Sequence, residues 1–95
     1  MGFRHVVLLT ITPDGDAAGI VEALSRLPAR LPRLRRYELG LDEGVTDGNA
    51  TIAVVADFDD RDAYVEYRDD PEHQRIIAEL IRPVLAGRTA VQHET

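Results

Sequence analysis

Two segments of the chain alternate as β-strands do, yet they carry apolar side chains on both faces. In residues 3–11, one face holds Phe3, Val7, Leu9 and Ile11, and the other holds Val6 and Leu8. In residues 50–58, one face holds Ile52, Val54, Ala56 and Phe58, and the other holds Ala53 and Val55. Because apolar surface is favoured away from water, such strands have to be covered on both sides.

The other segments complete the element order β-α-β-β-α-β. Alternating patterns predict further strands at 34–41 and 88–94, and helical spacing predicts helices after Asp16, at 63–68 and at 72–85. The polar stretch 42–49 is typical of a hairpin loop. This order favours an α+β, ferredoxin-like fold, in which one four-stranded antiparallel sheet has its helices on one face.

The sheet face that the helices do not cover indicates that the protein has a partner. Helices on one side leave the outward apolar residues of strands one and three uncovered, and another copy of the same sheet is the simplest cover. We therefore expect residues 1–95 to form a single domain that assembles as a homodimer with two sheets face to face. A dimer would also enlarge the small core that 95 residues can build.

Composition excludes several classes of function. The chain has no cysteine, which excludes disulfides and cysteine-ligated metal. Its formal net charge of −6 argues against nucleic acid as a partner, because phosphate binding needs a basic surface. The first apolar run is too short to span a bilayer and lacks the flanks of a signal peptide. We expect a cytoplasmic protein that does not bind membranes.

The candidate catalytic residues lie on either side of a helix break at Asp69-Asp70-Pro71. Proline disfavours helix in the residue before it and fits the first turn of the next helix, so Asp70 is placed to cap that helix. Tyr67 and His73 flank the break, which brings a phenol and an imidazole close together.

Each candidate side chain has a functional and a structural interpretation. His73 could act as a general base, or it could hold the helix start by bonding to the backbone. Tyr67 could donate to a developing enolate oxygen, or it could simply pack. His5, on the Phe3 and Val7 face of strand one, could line a pocket or be a core histidine satisfied by a partner. The histidines lack the close spacing of a metal site, so metal binding is not expected.

Two charged clusters also have structural interpretations. The acidic cluster comprises Asp57, Asp59, Asp60 and Asp62, and the basic cluster comprises Arg30, Arg33, Arg35 and Arg36. Helix capping by Asp59 or Asp60 explains the first more simply than a cation does. The second either binds an anion or pairs with the excess of acidic side chains.

The chain resembles the stress-responsive A/B barrel (Dabb) family over nearly its whole length. The resemblance rests on the strand starting at His5-Val6-Val7-Leu8-Leu9, on the strands at 34–40 and 53–57, and on Tyr67 followed by Asp70-Pro71-Glu72-His73-Gln74. It implies a dimeric α+β barrel. One plant branch of the family is a polyketide cyclase that closes a linear tetraketide by intramolecular aldol condensation.

That branch implies a catalytic site at three positions of this chain. Its general-base histidine matches His73, its assisting tyrosine matches Tyr67, and its N-terminal strand histidine matches His5. Two other histidines of the cyclase are replaced, one by an apolar residue near Ile52 and one by Asp70.

Two classes of function follow. The first is a dimer with an apolar pocket that binds a small hydrophobic molecule, either without chemistry or as a cofactor-independent, polyketide cyclase-like enzyme using His73, Tyr67 and His5. The second is a non-catalytic structural or stress-response protein that acts through its dimer. A third function, that of a heme-degrading or monooxygenase relative with the same dimeric architecture, is disfavoured, although the fold alone does not exclude it. A cavity of roughly several hundred Å³ touching Tyr67 and His73 would favour the first class.

Overall fold

Four strands form one antiparallel sheet in the computed structural model, which describes residues 2–95. The strands are β1 (Phe3–Ile11), β2 (Leu34–Leu41), β3 (Ile52–Phe58) and β4 (Leu85–Glu94), and their order across the sheet is β2-β3-β1-β4. The two strands that are apolar on both faces are therefore the two central ones. The predicted element order and the ferredoxin-like arrangement are confirmed.

Three helices follow caps that the sequence predicts, although the second begins at Arg61, two residues before its predicted start. They are α1 (Ala17–Leu24), α2 (Arg61–Asp69) and α3 (Pro71–Ile76). Asp16 caps α1 by accepting from the Gly19 N–H at 2.9 Å, and Asp60 caps α2 by accepting from the Ala63 N–H at 2.8 Å. No helix among residues 2–95 has the length and apolar character to cross a bilayer.

The helix predicted at 72–85 changes pitch along its length. After α3 it continues as a π turn (Ile77–Ile81) and a 3₁₀ turn (Arg82–Val84). Pro83 lacks the N–H that a regular α-helix would use here, so the last turns depart from α-helical geometry. β4 then begins at Leu85 instead of Arg88, because a register shift after Thr10 extends its pairing with β1.

The core lies between the helices and one face of the sheet. This inner face carries Val7, Leu9, Val54 and Phe58, all buried, together with the candidate site residue His5. The helices and the Leu27–Arg30 turn pack on it with side chains that include Ile20, Leu24, Leu27 and Ile76.

The outer face of the sheet has no helix over it. Val6, Val55 and Val91 are aligned across β1, β3 and β4, and Leu8 is aligned with Ala53. Leu8 is 41% exposed and Val91 is 57% exposed. The expected uncovered apolar face is therefore present in the single subunit.

The basic cluster is paired with acidic side chains. Arg30 contacts Asp70, Arg33 contacts Asp60 and Glu66, Arg35 contacts Asp59, and Arg36 contacts Glu38. The structure thus favours the ion-pairing interpretation over an anion site in this cluster.

Candidate functional site

A cavity of about 100 Å³ lies between the inner face of the sheet and the helices. Its walls are mostly apolar, and its lining residues are His5, Val7, Leu9, Leu24, Val54, Tyr67, His73, Ile77, Ile81 and Arg88. The structure therefore brings all three sequence-predicted site residues to one cavity. The cavity is smaller than the several hundred Å³ that would favour a binding protein most strongly.

Asp70 fixes the start of α3 and with it the position of His73. Its carboxylate accepts from the backbone N–H groups of Glu72 and His73 at 3.0 and 3.1 Å, and from the Arg30 guanidinium at 3.0 Å. Burial alone would raise the pKa of Asp70, but the hydrogen bonds from Arg30 and from the His73 N–H outweigh it and lower that pKa. A buried carboxylate thus orders the helix break.

The imidazole of His73 is held in one tautomer. Its Nδ1 lies 3.1 Å from the Arg68 carbonyl oxygen, which can only accept a hydrogen bond. In the neutral ring, Nδ1 therefore carries the hydrogen and Nε2 carries the lone pair. Burial lowers the pKa of His73, although the Arg68 carbonyl and the Asp70 charge oppose this. The ring is consequently neutral near pH 7, with Nε2 as its basic atom.

Tyr67 is packed against His73 and bonded to a second tyrosine. The Tyr67 and His73 ring centroids are 4.2 Å apart, and the Tyr67 hydroxyl lies 2.9 Å from the Tyr37 hydroxyl. Burial raises the pKa of Tyr37 to about 12 and the pKa of Tyr67 well above its usual value, so both phenols keep their protons. When Tyr37 donates to Tyr67, the Tyr67 hydrogen is free for a ligand.

His5 both lines the cavity and has a partner, so the two interpretations of this residue are compatible. Gln92 lies directly opposite on β4, and its amide nitrogen is 3.0 Å from His5 Nδ1 and 3.3 Å from the Tyr64 hydroxyl. Since the amide N–H donates, Nδ1 accepts and Nε2 carries the hydrogen. Burial, followed by the positive charge of Arg88, lowers the pKa of His5 to about 4.

The cavity thus combines one basic atom with hydrogen-bond donors inside apolar walls. His73 can accept a proton, while His5 and Tyr67 can donate hydrogen bonds to an oxygen. Among residues 2–95, no three His, Asp or Glu side chains are grouped as ligands for a metal.

Sequence reasoning missed three residues of this site. Tyr37 has its polar group on the inner side of β2, while Gln92 and Arg88 occupy alternate positions of β4 on the same face. All three are polar side chains on the strand face that the helices cover, and this pattern in the sequence could have identified them as site residues. His93 is exposed and lies outside the cavity.

The fold and site define a small ferredoxin-like α+β protein with a histidine-containing cavity between its sheet and helices. The family model for the stress responsive A/B barrel domain matches residues 3–94. The chain therefore belongs to the stress responsive A/B barrel (Dabb) family. No curated protein matches the sequence.

Solved structures show the same fold along the whole chain. A dimeric ferredoxin-like protein of unknown function from Thermobifida fusca is 40% identical, with a TM-score of 0.88, and the match covers 100% of this chain and 92% of that one. A dimeric protein of unknown function from Bacteroides fragilis is 26% identical, with a TM-score of 0.81 and coverages of 99% and 96%. A hydroxynitrile lyase from Passiflora edulis is 15% identical, with a TM-score of 0.82 and coverages of 99% and 93%, and this likeness concerns the fold alone.

Proposed function

We propose that this protein binds a small, largely hydrophobic carbonyl compound in the cavity and removes a proton from the carbon next to the carbonyl. The observation that supports this most is the tautomer of His73, whose Nδ1 bonds to the Arg68 carbonyl and whose Nε2 is therefore basic. A neutral imidazole suits this role, because only the unprotonated ring can accept a proton.

The proposed step is enolisation. His73 Nε2 takes the proton, the electron pair of the broken C–H bond becomes the C=C bond of the enolate, and the carbonyl π electrons move to oxygen. His5 Nε2–H and the Tyr67 hydroxyl donate hydrogen bonds to that oxygen, and the imidazolium later returns the proton. A positioned base contributes roughly 10²–10⁴-fold to such a step, and loss of an oxyanion donor costs about 10²–10³-fold. No cofactor takes part.

The cavity volume limits the substrate. An apolar cavity of about 150 Å³ accommodates benzene, so one of about 100 Å³ suits a compound with a short carbon chain. The proposal keeps the enolisation step of a polyketide cyclase-like enzyme, and the volume favours a substrate smaller than a linear tetraketide.

We also propose that the functional unit is a cytoplasmic homodimer. The outer face of the sheet, with Val6, Leu8 and Val91, supplies the apolar contact surface. The described dimers from Thermobifida fusca and Bacteroides fragilis support the same assembly here. Each cavity would then lie on the side of the sheet away from the partner.

Deuterium exchange tests the enolisation. Butanone in D₂O would be incubated with the protein, and loss of its α-proton NMR signals would be followed for the wild type, His73→Gln and His93→Gln. Glutamine is polar and uncharged but supplies no base, so we expect His73→Gln to slow exchange by about 10²-fold or more. His93→Gln is the control, because His93 is exposed and outside the cavity.

The outcomes separate the hypotheses if all three proteins melt alike. Exchange that is unchanged in His73→Gln would remove His73 from the base role. Absence of exchange and of butanone binding in the wild type would favour the alternative function, a structural or stress-response protein acting through its dimer. The small cavity volume is the observation that favours this alternative.

A further inference from the structure

Arg88 brings a positive charge to the cavity that holds His5 and His73. It lies on β4 directly opposite Leu9 of β1 and on the same face as Gln92, the partner of His5. Its side chain belongs to the cavity lining, and its charge contributes to the lowered pKa of His5. A cation therefore lies near the neutral imidazole of His5, in a cavity that His73 also lines.

This charge is unpaired within the described residues. Eight of the eleven arginines form ion pairs with carboxylates among residues 2–95, and Arg88 is not one of the eight. The cavity lining contains no Asp or Glu. The chain has 17 acidic and 11 basic side chains, so most arginines have a carboxylate available. An arginine that lines a cavity and has no carboxylate partner in the protein can bind the carboxylate of a ligand.

We infer that the cavity selects small monocarboxylates, with the carboxylate meeting the Arg88 guanidinium and the carbon chain lying between the apolar walls. The planar guanidinium suits a carboxylate because two parallel N–H donors match its two oxygens. This inference rests on the proposed function and narrows its substrate class to short oxo acids, whose carbonyl would lie near His73 and His5. Arg88 is exposed, so water screens much of the attraction.

A matched ligand pair tests this charge selection. Butyrate and butyramide have similar size and shape but differ in charge, and each would be titrated while the imidazole NMR signals of His5 and His73 are followed. We expect the wild type to bind butyrate roughly tenfold more tightly than butyramide. Arg88→Gln should abolish this preference, because it should weaken butyrate binding much more than butyramide binding.

Arg82→Gln is the matched control. Arg82 is also without an ion pair among residues 2–95, but it does not line the cavity, so this variant should keep the preference for butyrate. Equal binding of both ligands by the wild type, or a preference that survives in Arg88→Gln, would overturn the inference and leave the proposed cavity function intact. Binding of neither ligand would remove the binding site and the inference together, and enolisation of butanone is measured separately.

Discussion

The two histidines of the cavity are neutral near pH 7 but have opposite tautomers. His73 has its hydrogen on Nδ1, facing the Arg68 carbonyl, whereas His5 accepts from Gln92 at Nδ1 and carries its hydrogen on Nε2. One ring therefore offers a lone pair and the other a donor. Both states depend on burial, which disfavours the charged imidazolium.

The lowered pKa of His5 predicts acid sensitivity between about pH 6.5 and pH 4. In this range the unfolded chain binds a proton on His5 that the folded chain does not, so the free energy of unfolding falls as the pH is lowered. The loss reaches the order of 3 kcal/mol for a pKa lowered from 6.5 to about 4. Urea unfolding at pH 7.0 and pH 5.0 would measure about 2 kcal/mol of this loss, because pH 5.0 lies above the folded pKa.

His5→Gln is the control for this prediction, because glutamine cannot titrate. We expect the variant to lose less stability between the two pH values than the wild type does. The lowered pKa of Asp70 affects stability only at lower pH, since the unfolded carboxyl titrates near 3.8. Equal pH dependence of both proteins would contradict the assignment to His5.

At the scale of elements, the break between α2 and α3 couples stability to the site. Asp70 follows α2, caps α3 and binds Arg30, so one carboxylate orders the segment that carries Tyr67 and His73. A change at this residue should affect both the fold and the position of the proposed base.

Asp70→Ala should reduce the free energy of unfolding by about 1–3 kcal/mol and slow butanone exchange. The change removes a helix cap and leaves Arg30 without its carboxylate. Asp16→Ala removes the comparable cap of α1, and Asp16 does not line the cavity, so this change should cost about 1 kcal/mol and leave exchange unchanged. Urea unfolding and the exchange assay would measure both effects, and equal slowing of exchange by the two variants would contradict this role.

Local signals explain why the elements could be predicted while much of the site could not. The caps and the proline break depend on neighbouring residues, so Asp16, Asp70 and Pro71 identified the helix starts. The contact between Tyr37 and Tyr67, and the one between His5 and Gln92, join residues that are distant in the chain. Such contacts depend on strand register and tertiary packing, which no local pattern specifies. The early start of β4 depends on pairing with β1 in the same way.

For the whole molecule, the outer face of the sheet determines assembly in our proposal. It is apolar at its centre and is bordered by the ion pair of Arg4 with Asp57, at 2.6 Å. A hydrophobic centre with a polar border is typical of an interface between subunits.

Leu8→Glu should convert the dimer into a monomer. The substitution places a charge in the apolar centre of the proposed interface, where burial without a partner is costly. Sedimentation velocity at micromolar concentration would measure the change. Leu80→Glu is the matched control, because Leu80 is 37% exposed and belongs to the helical side, whereas Leu8 is 41% exposed on the outer face. A wild type that sediments as a monomer, or a Leu80→Glu variant that dissociates as Leu8→Glu does, would contradict the proposed interface.

Alternate residues of strand β1 face the cavity and the outer face of the sheet. His5, Val7 and Leu9 form a wall of the cavity, while Val6 and Leu8 form the outer face. Inserting or deleting a single residue early in this strand would exchange the two sets of side chains, so that ligand recognition and self-association would fail together. Evolution can therefore vary the side chains of β1 one at a time, but it has little freedom to change its length.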